Sequence, residues 1–404
     1  MQAISIEGGV TAAQGFLASG MYCGIRKNKS KPDLALIYSK VPCAAAAVYT
    51  QNLVKGAPLT VTRQHLADGR AQAVICNSGN ANTCNADGEA KAEAMCRLVE
   101  QHTGIPASDV IVASTGVIGQ TLDIEPIENS MDTLVGALGR DSSAAAEAIM
   151  TTDTYAKQLA VSFDCGGVEC RIGGIAKGSG MICPNMATML VFLTTDCSIS
   201  SEALSKALSA AADDTFNMVT VDGDTSTNDT VAIMANGMAG NERITGGEGL
   251  SEFTKALTLL LAGLSKMIAG DGEGATKLLI CEVTGAVDKA AARLAAKSVV
   301  GSPLVKVAMF GSDANWGRVL CALGYSGAAF EPSETDVRFA SSAGTVEVCR
   351  GGFGVEFSEE KAKEILQQKE ITISVSLGKG QGSAVAYGCD LTYDYVRING
   401  DYRT

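Results

Sequence analysis

The residues best placed for covalent chemistry lie between Lys177 and Leu190, KGSGMICPNMATML, where a loop broken by glycine and proline runs into Ala187-Thr188 and the apolar stretch Met189 to Leu193. That stretch reads as a buried strand, which puts a threonine hydroxyl at its first position. Gly178, Gly180 and Pro184 allow the sharp bend and close self-approach that such a hydroxyl needs in order to attack the carbonyl before it. Attack of Thr188 Oγ on the Ala187 carbonyl turns the peptide into an ester. Hydrolysis then leaves Thr188 with a free α-amine beside its own hydroxyl. An α-amino group titrates near pH ~8, against ~10.4 for lysine, so it serves as a built-in general base.

Composition removes most competing nucleophile systems. There are only 2 histidines in 404 residues, His65 in the polar helix end TRQHLADG and His102 at a helix end before Gly104, and both read as surface residues. A Ser-His-Asp triad or a histidine-rich metal site has little to draw on, and no metal is expected. The 13 cysteines are odd in number and scattered, with no CxxC, so they read as small buried hydrophobes rather than as a zinc ribbon or a disulfide framework. A net charge of −12 without a basic block argues against nucleic acid. With no run of about twenty apolar residues and no signal-peptide pattern, the expectation is a cytoplasmic protein that does not enter a membrane.

These residues need a framework of mixed α and β elements, with sheets covered by helices. Strands are expected over Asp33 to Tyr38, Ala45 to Tyr49, Ala73 to Cys76, Val110 to Ser114, Gln158 to Phe163, Glu169 to Ile175 and Met189 to Leu193. Further strands are expected over Val231 to Ala235, Lys277 to Val283, Leu304 to Met309, Thr345 to Cys349, Ile371 to Ser376 and Ser383 to Asp390. Helices are expected over Gly88 to Gln101, Ile124 to Leu138, Ser201 to Thr215, Ser251 to Ile268, Ala286 to Lys297 and Ser358 to Gln368, with Ser201 as an N-cap candidate. Val161 to Glu169 reads as a hairpin turned by Gly166-Gly167.

Acyl transfer also requires donors for a developing oxyanion. Ser114-Thr115-Gly116 closes an apolar strand and offers a hydroxyl beside an unhindered backbone amide, donors of a kind worth ~3 to 4 kcal/mol each; an ordinary strand-to-loop turn fits the same residues. Asn77-Ser78-Gly79-Asn80-Ala81-Asn82 reads as a structural polar loop after a buried strand.

Together KGSGMICPNMATML, ASTGVIG, MTTDT at Met150 to Thr154, DGEGATK at Asp271 to Lys277, GSDANWGR at Gly311 to Arg318 and the terminal YVRINGDYRT resemble the ornithine acetyltransferase family of arginine biosynthesis, in order and over nearly the whole chain. The resemblance implies an α/β (α+β) fold of layered sheets flanked by helices, shared in outline with an aminopeptidase group and autoprocessed as an N-terminal nucleophile enzyme. It implies cleavage at Ala187-Thr188 into chains 1–187 and 188–404, intertwined, with two of each in a heterotetramer. The activity implied is acetyl transfer from N-acetylornithine to glutamate through an acetyl-Thr188 ester, with ping-pong kinetics and no cofactor. Acetyl-CoA is a co-substrate in some members and not in others, and no motif near Thr188 separates the two. Thr115 and Gly116 are implied as the oxyanion hole, and Thr151, Lys177, Thr188, Glu273, Asn399 and Thr404 as substrate contacts, the choice of Thr151 within Thr151 to Thr154 being the loosest. The substrate's chemistry suits this set, since Lys177 can pair an α-carboxylate and Glu273 a distal ammonium.

Two rival readings remain. In the nearer, an amidase or aminopeptidase with the same threonine lets water deacylate the enzyme. In the farther, GKGQGS at Gly378 to Ser383 and GDGEGATK cradle a phosphate, although neither completes GxxxxGK[ST].

Overall fold

The computed structural model describes residues 3–183 and 189–401; the expected cleavage pair Ala187 and Thr188, and the terminal Thr404, lie outside the described residues. Strands β1 (Ile4–Ile6), β2 (Phe16–Met21), β3 (Leu34–Tyr49), β4 (Arg70–Asn80), β5 (Val110–Val117), β6 (Lys157–Cys165), β7 (Val168–Lys177), β8 (Leu190–Thr195) and β9 (Thr230–Ala235) form one 9-stranded sheet. Its order is β1-β6-β7-β8-β9-β3-β4-β5, with β2 paired to β3. The β8–β9 and β4–β5 pairs are parallel and the rest antiparallel.

This sheet folds over on itself at β3, whose first half pairs with β4 and whose second half pairs with β9, with a register break between Tyr38 and Cys43. Pro42 sits in that break, where a residue without an N–H is tolerated. Ile37, Val74, Cys76, Ile111 and Ala113 from one half meet Ile175, Phe192, Ala232 and Met234 from the other in a single buried layer. The alternate residues point outward, as a period of two demands. Leu36, Ile75 and Val112 pack under the helices Ala57–His65 and Gly88–Thr103, while Ala176, Val191, Leu193 and Ile233 pack under Ser201–Asp214 and Gly247–Gly270. The result is helix, sheet, sheet, helix. Burial on both faces explains why β8 and β9 are apolar or threonine at every position and buried throughout.

A second sheet holds β10 (Leu278–Ala286), β11 (Asp336–Ser341), β12 (Gly344–Arg350), β13 (Phe353–Gly354), β14 (Glu370–Ser376) and β15 (Gly382–Cys389) in the order β13-β12-β11-β14-β10-β15. The helices Lys289–Gly301, Pro303–Phe310, Trp316–Gly324 and Glu359–Leu366 contribute to its core. The expected mixed architecture of layered sheets flanked by helices is therefore present.

Several local expectations are corrected. Asp33 to Tyr38 and Ala45 to Tyr49 belong to one bent strand. Leu304 to Met309, whose valines suggested a strand, is the helix Pro303–Phe310: Ser302 caps it by accepting the Val305 N–H, and Pro303 occupies the first turn, where no N–H is needed. Ile124 to Leu138 divides into Glu125–Glu128 and Met131–Gly136, with the Ser130 hydroxyl bonded back to the Pro126 carbonyl at 2.8 Å. Ser200, not Ser201, caps Ser201–Asp214. His65 is not a surface residue, because its ring is wedged between the Val110 carbonyl (2.9 Å) and Glu93 (3.2 Å). Gly247–Gly270 is long and apolar enough to cross a membrane, contrary to the reading that no such stretch exists, yet Phe253, Leu257, Leu260, Leu261, Leu264 and Ile268 bury it against the large sheet. The Gly166-Gly167 hairpin turn is as expected, with φ of 64° and 87°.

Candidate active site

Strand ends from both halves of the folded sheet converge on one rim. β5 delivers Thr115 and Gly116 near its C-terminal end, β7 delivers Lys177 as its last residue, and Thr227 and Asn228 lead into β9. These residues, with Thr151, Thr152, Glu273 and Asn399, line a pocket of about 180 Å³. Six residues singled out in the sequence, spread from position 115 to 399, are thus gathered in one place. Thr152 lines the pocket alongside Thr151, whereas Thr154 turns away to bond Asp271. Neither histidine is among the lining residues.

Gly116 is there because nothing larger fits. Its φ is +131°, and an added Cβ would stand 2.4 Å from the Gly79 carbonyl carbon and 2.6 Å from the Asn80 nitrogen. The NSGNAN segment, read in the sequence as a loop, is mostly the end of β4 and holds β5 in place. Asn77 Oδ1 accepts the Ser114 hydroxyl at 2.6 Å, Asn77 Nδ2 donates to the Asn80 carbonyl at 2.9 Å, and Asn80 Oδ1 accepts the Asn82 N–H at 2.7 Å.

The opposite wall depends on a buried charge cluster that sequence reading missed. Lys157 is fully buried, with Nζ 2.7 Å from Asp153 Oδ1 and 2.5 Å from Asp271 Oδ2. Asp153 also accepts the Thr151 N–H (2.9 Å) and the Gly178 N–H (2.7 Å), and the Asp271 carbonyl accepts the Ser179 hydroxyl (2.6 Å). One ammonium thereby joins the chain at 151–154, the start of the loop after β7, and the turn that carries Glu273. Burial opposes ionisation of Asp153, but Lys157 and then Lys177 outweigh it and hold the carboxyl down at about 2.

Glu273 is placed by that turn. Its N–H donates to the Ser179 carbonyl at 3.0 Å, and its Oε2 accepts from Asn399 Nδ2 at 2.7 Å. An added Cβ at Gly180 would stand 2.4 Å from this carboxylate, and one at Gly274 would stand 2.7 Å from the Tyr395 nitrogen. The glycines of GSG and DGEGATK therefore let these segments touch. Lys177 is a nearly buried strand residue, 9% exposed, rather than a solvated loop lysine. Among the described residues no carboxylate stands within ion-pair distance of its ammonium. The pocket so presents a cation at Lys177 and an anion at Glu273, which suits a zwitterion. Among the described residues no group of three His, Cys, Asp or Glu side chains is placed to hold a metal ion.

Asp229, next to the lining residues, is 3% exposed, and its Oδ2 has no hydrogen-bond partner among the described residues. Burial drives its carboxyl well above the ordinary value, with the Ser226 hydroxyl and Lys177 pulling against it. Its polar neighbours Ser226, Thr227 and Asn228 were also passed over in the sequence, since TSTNDT has no spacing that marks a site.

A family model described as the ArgJ family matches residues 17–404. The arginine biosynthesis bifunctional protein ArgJ of Symbiobacterium thermophilum is 51% identical over 403 residues, covering 99% of each chain. That of Caldanaerobacter subterraneus subsp. tengcongensis is 47% identical over 404 residues, again covering 99% of each. Of the solved structures, ArgJ from Bacillus halodurans matches with a TM-score of 0.50 at 49% identity, covering 52% of this chain and 98% of its own. Ornithine acetyltransferase from Mycobacterium tuberculosis, complexed with ornithine, matches with a TM-score of 0.43 at 38% identity, covering 46% of this chain and 100% of its own. The chain is an acyltransferase enzyme of arginine biosynthesis. It belongs to the ArgJ family.

Two outcomes follow from the buried charges. Lys157→Met leaves two buried carboxylates without their cation and should lower unfolding free energy by about 3 to 5 kcal/mol; a urea-melt difference within about 1 kcal/mol would contradict the clamp. Asp229 has a raised folded pKa, so its contribution is complete below the unfolded value near ~3.9 and is lost as pH climbs toward the folded value. Asp229→Asn should therefore melt higher than the parent at pH ~7, with the gap closing as pH falls to ~4. A pH-independent deficit in the variant's melting temperature would refute this.

Proposed function

We propose that this enzyme cleaves itself between Ala187 and Thr188 and then moves an acetyl group from N-acetylornithine to glutamate on the Thr188 hydroxyl. The observation that carries the reading is the single pocket formed by Thr115, Gly116, Thr151, Lys177, Glu273 and Asn399, with donors, a cation and an anion set around a small space. Met189, the residue after Thr188, is tied to the same rim, because its carbonyl accepts the Thr230 N–H at 3.0 Å beside the lining residue Asn228.

In the cycle, the liberated Thr188 amine takes the Oγ proton as Oγ bonds to the acetyl carbonyl carbon. The Thr115 hydroxyl and Gly116 N–H receive the oxyanion. As the tetrahedral species collapses, the C–N bond breaks and the α-amine of ornithine leaves with the proton. Glutamate then enters, its α-amine bonds to the ester carbonyl carbon, and Thr188 Oγ departs and regains a proton. An amide is exchanged for an amide, so no cofactor is consumed and ping-pong kinetics follow. Lys177 pairs the α-carboxylate common to both substrates. Glu273, steadied by Asn399, takes the distal ammonium of N-acetylornithine.

Cleavage would give chains 1–187 and 188–404. The cut falls between β7 and β8, antiparallel neighbours from Ile172↔Thr195 to Lys177↔Leu190, so both products remain in one sheet. The solved Bacillus halodurans chain, matched over 98% of its length yet covering 52% of this one, agrees with a two-chain enzyme. Two copies of each chain form the proposed heterotetramer, acting in the cytoplasm, with Thr404 completing the substrate contacts.

Denaturing electrophoresis with intact-mass measurement, together with a transfer assay run with and without glutamate and acetyl-CoA, tests the reading. Thr188→Ala should stay a single chain and transfer nothing; splitting of that variant would contradict the scheme. Acetate release that ignores glutamate would favour a hydrolase instead. Activity with acetyl-CoA alone would add direct acetylation of glutamate. Glu273→Gln should raise KM for N-acetylornithine by about 10- to 100-fold, the loss of one charge-assisted contact, while leaving KM for glutamate unchanged or lower. An equal rise for both substrates would sink the assigned role of Glu273.

A further inference from the structure

Asn228 is 4% exposed, and its side-chain amide uses its full bonding capacity. Nδ2 donates to the Ala81 carbonyl at 2.6 Å and to the Ser114 carbonyl at 3.0 Å, while Oδ1 accepts the hydroxyls of Thr83 at 2.7 Å and Thr227 at 2.5 Å. Two carbonyls on one side and two hydroxyls on the other leave the amide a single sensible orientation. The packing is equally tight, since a Cβ on Gly56 would stand 2.5 Å from Asn228 Nδ2.

This residue leads into β9, in one half of the folded sheet, and grips β5 and the segment after β4, in the other. We infer that Asn228 is the positioning residue of the oxyanion-binding corner, fixing the Ser114–Thr115 peptide plane from which the Thr115 hydroxyl and the Thr115–Gly116 link project. The inference rests on the acyl-transfer reading given above. Its physical basis is that a planar peptide held at its carbonyl oxygen cannot rotate, and that oxyanion donors work only when their direction is set before reaction. Gly116 has the freedom to turn at φ +131°, so an anchor one peptide earlier is what keeps the corner from drifting. Asn228 lines the pocket but lies on a different element from Lys177 and Glu273, so on this inference its loss is expected to weaken transition-state stabilisation more than ground-state binding.

Asn228→Asp keeps the shape and replaces the donor to Ser114 with an acceptor. Thr83→Val is milder, removing one of the two hydroxyls that orient the amide. For both, kcat and KM would be measured per cleaved chain, with the cleaved fraction read from intact mass and ornithine affinity from calorimetry. Asn228→Asp should lower kcat by about 100-fold, with ornithine affinity within about 3-fold of the parent. Thr83→Val should lower kcat by about 3- to 10-fold, again without weakening ornithine. Unchanged kcat in Asn228→Asp, or kcat and ornithine affinity falling together, would overturn the inference. If Asn228→Asp does not fold, unchanged kcat in Thr83→Val overturns it alone. A parent enzyme that binds ornithine but forms no N-acetylglutamate would instead remove the reading on which the inference rests.

Discussion

A lysine ammonium sealed between two aspartates holds the working part of this molecule together. Lys157 has no exposure, and its partners Asp153 and Asp271 come from segments more than a hundred residues apart. Burying such charges is expensive and is rarely a net source of stability compared with well-packed apolar residues. What the cluster supplies is location. Asp153 also holds the Thr151 and Gly178 N–H groups, and Asp271 opens the turn that presents Glu273. Three stretches of chain that must meet at the pocket are pinned to one point, whose buried charges tolerate little displacement.

The sheet supplies the other half of the arrangement. By folding at β3 it brings the end of β5 opposite the end of β7 and the start of β9, strands that lie apart from β5 in its hydrogen-bonded order. Backbones then approach more closely than side chains allow, so Gly116, Gly180 and Gly274 stand where a Cβ would strike a neighbouring chain or carboxylate. Hydrogen bonds from asparagines finish the joint, with Asn77 and Asn80 on the β4 side and Asn228 across the gap. The large number of glycines in the chain reflects, in part, these contacts.

Much of this was legible in the residues. The buried strands β6 to β9, the Gly166-Gly167 turn and the long helices announced themselves through alternation, turn chemistry and periodicity. The six site residues implied by the resemblance and placed by the structure, Thr115, Gly116, Thr151, Lys177, Glu273 and Asn399, are gathered by the fold into one pocket. Long-range partners were not legible. Lys157 looks like an ordinary strand lysine until Asp271 arrives from another element, and Asn228 looks like a polar loop residue until Ser114 lies beneath it. Val305 and Val307 suggested a strand because β-branched residues favour one, yet the Ser302 cap and Pro303 decided for a helix. The bend in β3 depends on which neighbours each half finds, information absent from its own sixteen residues.

The proposed cycle requires an acyl group to rest on Thr188 between two half-reactions. Rapid quenching of the enzyme with N-acetylornithine in the absence of glutamate, followed by peptide mass spectrometry, would trap that ester. One acetyl group is expected on the peptide beginning at Thr188, attached as a base-labile ester and discharged when glutamate is added. An unmodified Thr188 peptide under turnover conditions, or acetylation confined to another residue, would contradict it.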